Sequence, residues 1–275
     1  MPLKRKSAAL SRQTRIISLA PNVTSILLAL GAGRELVGVS KWCKDVAEVG
    51  RRAVFGDCWK LDIERVMRER PTLLIGSVPF ASEVVGEILK RPVAFLAVNP
   101  RSIQDIEGDI RTLGRLTERA ANAEKLVARM RREFAGVERA AGKILKSAKR
   151  KPRVYCEAWP NPRISSPPWV GELVGMAGGV MAVASGTRVT DEQVARAKPE
   201  VIILAWAATG NRAKVSSALR NPAWKNVPAV KDGRVYVIRD ELLNTPGPPL
   251  MEGARELFRA IHVRDARESE KERGC

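Results

Sequence analysis

The chain of 275 residues holds a single histidine, His262, and four cysteines, Cys43, Cys58, Cys156 and Cys275, with no CxxC pair among them. That inventory argues against a zinc site, which draws on Cys and His at short spacings. It argues equally against a Ser–His or Cys–His nucleophile, since His262 lies beside a charged tail and reads as a surface residue. No glycine-rich phosphate loop is present: the glycines of "LGAGRELVG" follow a helical pattern and precede a strand, the reverse of a dinucleotide fingerprint. No apolar run approaches the roughly eighteen residues of a membrane span. The basic start, "MPLKRKSAALSRQTR", is not followed by an apolar segment of signal-peptide length, so the chain as written reads as cytoplasmic, and as periplasmic if a leader has been removed.

What is present in excess is positive charge. Lys and Arg number 48 against 30 Asp and Glu, a net charge of +18. Such a balance points toward acidic partners. The basic residues, however, crowd the first fifteen positions and the stretch "LKSAKRKPR" at 145–153, and elsewhere alternate with acids, as solvated helix faces do. No nucleic-acid-binding motif accompanies them, so no specific nucleic acid is expected as partner.

An internal duplication organises the rest. "RIISLAP", then "VTSILLALGAG", then "LVGVS" is a strand, a glycine-stopped helix and a strand; "RVYCEAWP", "WVGELVGMAGG" and "VMAVAS" repeat that order. Further on, "DIERVMRERPTLLIGS" (62–77) matches "DEQVARAKPEVIILAW" (191–206): an acidic helix start, a basic last turn, a stopping proline and a buried-type strand. Helical segments at 81–90 and 212–220 and the strands "PVAFLAV" and "RVYVIR" complete each copy. Two β-α-β series predict two Rossmann-like α/β lobes with mainly parallel sheets, at 15–100 and 152–263. A basic tail, 1–14, is expected to be disordered, and a charged tail covers 264–275.

Between the copies, residues 101–147 contain no proline and carry apolar or small residues at helical spacing from Ile103 through Ile106, Ile110, Leu113, Leu116, Ala120, Ala123, Leu126, Val127, Met130 and Phe134 to Val137. A continuous helix there would run to about 60 Å. The glycines at 108, 114, 136 and 142 are the places for a bend or break. The flanking duplication favours a long backbone helix linking the lobes.

The tryptophans, six in all, are distributed unevenly. Trp42, Trp59, Trp159 and Trp206 each follow a predicted strand, where α/β sheets collect their ligand-binding loops. Trp169 ends the proline-rich stretch "EAWPNPRISSPPW" (157–169), expected as an extended strand-to-helix loop that turns Trp159 and Trp169 into a cleft; Trp224 reads as an ordinary packing residue. Each indole alone is as well explained by packing, but together they would line one apolar cleft between the lobes. Asp57, Glu157, Asp240 and Glu241 also fall at strand ends, and no pair of them has the spacing of an acid–base dyad, so the cleft is expected to bind rather than catalyse.

The stretches "RIISLAPNVTSILLALGAGRELVGVSKWC", "DIERVMRERPTLLIGS", "AWPNPRISSPPWVGELVGMAGG" and "PAWKNVPAVKDGRVYVIRDELLNTPGPPLMEGARELFRAI" resemble the cobalamin-binding branch of the helical-backbone substrate-binding proteins of ABC importers, across residues 15–262. That group also takes up iron siderophores. The resemblance implies a class III periplasmic-binding-protein-like fold, with ligand held between two lobes joined by one long helix. It implies ligand contacts from Pro21, Asn22, Trp42, Cys43, Asp57, Trp59, Glu157, Trp159, Trp169, Trp206, Asp240, Glu241 and Asn244. It also implies permease docking through a glutamate on each lobe; Glu83 fits in the first, while Arg212 and Lys214 stand where the second is expected.

The expected function is therefore non-catalytic binding of a corrinoid, with a cobalamin-like molecule as ligand and no obligatory cofactor or metal. The protein would serve as the binding component of an ABC importer, meeting the membrane only through a permease, or as a cytoplasmic corrinoid carrier or sensor. Two alternatives stand beside it: an iron-siderophore or haem-like chelate in the same cleft, and an anionic surface or nucleic acid on the basic segments.

Overall fold

The computed structural model describes residues 14–148, 150–207 and 213–262. The first lobe is a parallel sheet of β1 (Ile16–Ser18), β2 (Leu36–Ser40), β3 (Ala53–Phe55), β4 (Leu73–Ser77) and β5 (Ala94–Val98) in the order β3-β2-β1-β4-β5. Helices α1 (Pro21–Ala29), α2 (Ile63–Arg68) and α3 (Ser82–Leu89) connect them. The chain steps outward from β1 to β2 and β3, then crosses back to β4 and β5. The strand order thus reverses beside β1, and a crevice opens there at the carboxyl ends of β1 and β4.

The second lobe contains β6 (Arg153–Pro160), β7 (Arg163–Ser165), α6 (Pro168–Met176), β8 (Val180–Met181), α7 (Asp191–Ala197), β9 (Val201–Leu204), α8 (Val215–Leu219), α9 (Pro228–Lys231), β10 (Val235–Val237) and α10 (Leu250–His262). β6 pairs in parallel with both β8 and β9, and β9 with β10. The order β8-β6-β9-β10 repeats β2-β1-β4-β5, as the duplication requires.

Local chemistry is duplicated too. Gly31 after α1 and Gly178 after α6 both sit at φ +82°, the left-handed helix stop that glycine adopts without strain. α2 and α7 end on Arg70 and Lys198 at φ 50° and 45°, each directly before a proline. A residue ahead of proline is barred from continuing a right-handed helix, which forces this turn on side chains that otherwise avoid it. α7 begins with a full capping box between Thr190 and Gln193, and α2 is capped by Asp62.

Two elements depart from the sequence expectation. The stretch 157–169 is not an extended loop: β6 runs through to Pro160 and turns at Asn161–Pro162 into antiparallel β7, pairing Trp159 with Ile164. The prolines are tolerated because they stand at the strand end, the turn and the entry to α6, where no ladder donor is needed. Nor is 101–147 one rod. It is α4 (Ile103–Leu116) and α5 (Ala120–Leu145), folded back on each other so that Glu107 pairs with Arg131 and Arg111 with Glu124.

None of the three glycines at 108, 136 and 142 makes the break. It falls at Thr117–Arg119, where the Thr117 hydroxyl takes the Leu113 carbonyl and Glu118 adopts φ 58°. Leu116 and Ala120, which the periodicity placed on the buried face, are exposed there. Gly114 lets the helices meet: a Cβ on it would lie 2.5 Å from that of Ala123.

α5 reaches from the first lobe to the second, over roughly 39 Å. At its start Arg119 pairs with Glu35 at 2.7 Å and Asn122 donates to the Leu30 carbonyl, both in the first lobe. Near its end Ala141 packs on Gly178, and Arg255 of α10 pairs with Glu133, both in the second. One apolar core runs through β1, α1, α4, α5, α6 and α10 without interruption. Glu172 of α6 caps Ile103 N at the start of α4, a further tie between lobes. No helix among the described residues is long and apolar enough to cross a membrane.

Burial, assisted by the charge of Asp105, pushes the carboxyl of Asp109 on α4 up to about 6. A pKa raised in the folded state favours the protonated form, so its stabilising contribution is complete below pH 4 and lost as pH rises through 6. Asp109→Asn, which mimics the protonated acid, is expected to raise stability at pH 7.5 by about 1 kcal/mol after allowance for solvent screening, and to be neutral near pH 4. Urea unfolding at the two pH values checks this, and an unchanged midpoint at pH 7.5 would contradict it.

Candidate ligand-binding cleft

A cavity of about 190 Å³ lies between the lobes at the switch point of the first sheet. The first lobe contributes strand ends: Leu19, Ala20, Pro21 and Asn22 after β1, Ser40 and Trp42 at the end of β2, Asp57 and Cys58 after β3, and Ser77, Val78 and Pro79 at the end of β4. The second contributes Trp169 at the start of α6, and Asn244, Thr245 and Pro246. This latter segment is seated on α1, where a Cβ on Gly247 would meet Ile26 and Ser25 at 3.3 Å.

Both cavity indoles are tied down. Trp42 donates its Nε1–H to Asp57 Oδ2 at 3.2 Å, and the Lys41 ammonium stands 4.9 Å over its ring. Trp169 donates to the Leu243 carbonyl at 2.9 Å. Asp57 is the hub of the first arrangement, bonded also by Lys41 at 2.8 Å and by the amides of Trp59 and Lys60. Burial works to raise its pKa, but these donors outweigh it and hold the carboxyl below the usual range.

The asparagines are placed differently. Asn22, in the first turn of α1, is 3% exposed, and its Nδ2 has no hydrogen-bond partner. Asn244 spends its Nδ2 on the Ala205 carbonyl at 2.7 Å, leaving a shielded Oδ1 equally unpaired. Burial, then the neighbouring Asp57, raises the Cys58 thiol and so disfavours its thiolate.

Of the residues the resemblance implied, Pro21, Asn22, Trp42, Asp57, Trp169 and Asn244 meet at this cavity. Cys43 does not: it is fully buried behind the wall, in contact with the hydroxyls of Thr24 and Ser40. Glu157 is also a correction. It is fully buried under the second sheet edge, where Tyr155, Arg163 and Trp206 all donate to it. Arg163 bridges onward to Asp191 at 2.8 Å and stacks on Trp224. Glu157 therefore fixes the β6–β7 hairpin and orients Trp206.

Trp59 and Trp159 stand outside this cavity's lining, 63% and 38% exposed, at strand ends of the first and second lobes. Glu241 lines a separate crevice beside Arg239, and Asp240 opens a short turn whose carbonyl takes the amides of Leu243 and Asn244. His262, expected at the surface, is half-buried and bonded to the Ala177 carbonyl. Arg212 lies outside the described residues. Sequence reasoning missed Leu19, Ala20, Ser40, Cys58, Ser77–Pro79 and Thr245–Pro246. The strand-end rule reaches all but the last, whereas Thr245–Pro246 follows no strand and is brought in only by lobe packing. Among the described residues no group of three His, Cys, Asp or Glu is placed to hold a metal ion.

A profile of the periplasmic binding protein family matches residues 16–242. The uncharacterized ABC transporter substrate-binding lipoprotein YvrC of Bacillus subtilis is 26% identical over 90% of this chain and 80% of its own. The vitamin B12-binding protein of Vibrio parahaemolyticus is 24% identical over 85% of this chain and 84% of its own. A periplasmic haem-binding protein from Pseudomonas aeruginosa shares the fold with a TM-score of 0.78 at 21% identity, over 90% of this chain and 92% of that one.

The buried Glu157 yields a stability prediction. Glu157→Ala removes the acceptor shared by Arg163, Tyr155 and Trp206 and leaves Arg163 paired with Asp191, and removing one partner of a buried pair costs about 3–5 kcal/mol. A matching drop in urea stability is expected, with Trp206 emission shifted by release of its indole. A loss below 1 kcal/mol would show that the network is dispensable.

Proposed function

Since the chain belongs to the periplasmic binding protein family, we propose that it holds a corrinoid between its lobes, without transforming it, and delivers it to an ABC permease. The observation that carries this is the pair of tethered indoles, Trp42 and Trp169, contributed by opposite lobes to one cavity whose rim carries amides rather than a charged cluster. A corrin is a broad, partly apolar plate edged with carboxamides, and rigid indole faces suit it because few rotamers are frozen on binding. At about 190 Å³ the cavity is smaller than the roughly 300–1,000 Å³ of whole-ligand pockets, so it receives one edge of the plate. The same reading assigns the exposed Trp59 and Trp159 to the remainder.

The names of the relatives support the ligand class and a place outside the cytoplasm. Permease docking through Glu83, exposed in the first turn of α3, belongs to the same reading. A haem-like chelate is less well served. Haem iron takes its axial ligand from His, Tyr, Met or Cys thiolate, and Cys58, with its thiolate disfavoured, is the one such residue among those lining the cavity. Within the 145–153 cluster, Arg150 is committed to Glu200 rather than to a polyanion.

Titration with dicyanocobinamide, followed by corrinoid absorbance and tryptophan emission, is expected to show saturable quenching at micromolar protein or below. Trp42→Ala and Trp169→Ala are each expected to weaken binding at least tenfold, about 1.4 kcal/mol. Ferric haem and a ferric hydroxamate run in parallel. Quenching by either of these without any response to the corrinoid would overturn the assignment.

A further inference from the structure

The two unpaired amide groups of the cavity are complementary. Asn22 offers a donor from the first lobe and Asn244 an acceptor from the second; both are shielded from solvent, both line the same cavity, and they do not bond each other. The orientation of Asn244 is set independently, because its Nδ2 is held by the Ala205 carbonyl at 2.7 Å. Its free end is therefore an oxygen. Buried polar groups without partners are rare and costly, and a donor and an acceptor on opposite walls mark what a ligand must bring.

We infer that Asn22 and Asn244 together recognise a primary carboxamide on the rim of the ligand, the carbonyl oxygen accepting from Asn22 and the NH₂ donating to Asn244. This rests on the corrinoid reading above and narrows it to side chains that are amidated. A carboxamide carries its acceptor and its donor on separate atoms, so it can bridge two groups that do not reach each other. A carboxylate satisfies Asn22 but sets negative charge against Asn244 Oδ1. The one charged residue in the lining is Asp57, itself a carboxylate, and Lys41 is already committed to it. An ester is neutral and satisfies Asn22, but leaves Asn244 unpaired. A site built around a hydrogen bond rejects the analogue lacking it because its own polar group is left stranded.

The test compares three corrinoids that differ at the rim: dicyanocobinamide with amides, the heptamethyl ester of dicyanocobyrinic acid, and the free polyacid. Tryptophan emission is read on the full chain. The amide is expected to bind at least tenfold more tightly than the ester and more tightly still than the acid. Asn244→Ala is expected to abolish the gap between amide and ester, and Asn22→Leu to weaken both while preserving it. Circular dichroism establishes that each variant is folded; should Asn244→Ala fail to fold for want of its bond to Ala205, the wild-type series decides alone. Equal affinity for all three corrinoids overturns the carboxamide site and leaves the corrinoid reading standing. No response to any of them overturns both.

Discussion

The architecture depends on the simultaneous burial of α5 against α4, which packs on α1 of the first lobe, and against α6 and α10 of the second. Its apolar stripe, Ala123 through Leu126, Val127, Met130, Phe134 and Val137 to Ala141, is sealed along its whole length, and the core it enters is continuous from β1 to α10. Separating the lobes would open that shared core, at roughly 25 cal/mol per Å² of apolar surface exposed. Opening is thus opposed by the same force that folds the protein. A ligand entering between lobes joined in this way would meet walls already in position, so little binding energy would go into rearrangement.

A common device then sets the indoles. In each lobe a carboxylate accepts an indole N–H: Asp57, just after β3, from Trp42 in the first, and Glu157, within β6, from Trp206 in the second. Neither acid is free to serve a ligand in place of this duty. Asp57 is bonded by an ammonium and two amides besides the indole, and Glu157 by a guanidinium and a phenol. Buried charge is tolerated when it is fully partnered, and what it provides here is a fixed ring orientation. The asparagines lining the cavity differ because each retains one uncommitted atom.

Much of this was legible in the sequence because it is local. Helical and strand periodicity, the proline stops after Arg70 and Lys198, the glycine stops at Gly31 and Gly178 and the matching order of elements all act within one or two turns of chain. They were enough to specify two parallel α/β lobes and to put Trp42, Asp57 and Asn22 at strand ends. The helix break at Glu118 was not legible, because it is accommodated by the close approach of Gly114 to Ala123, a contact between helices. The hairpin of β6 and β7 was hidden for a similar reason: Arg163 is drawn back to a buried Glu157, and prolines in the stretch read as a loop.

By itself the sequence determined the duplicated order of strands and helices, their caps and stops, and the identity of the side chains available at the strand ends, since backbone preference and hydrophobic period are properties of neighbours along the chain. Tertiary structure alone decided which of those side chains share a cavity. It buried Cys43 and Glu157 as structural groups, left Trp59 and Trp159 exposed, and brought Asn244–Pro246 onto α1 to face Asn22. Burial and hydrogen-bond partnership depend on what arrives from more than two hundred positions away, and no pattern within a short window encodes them.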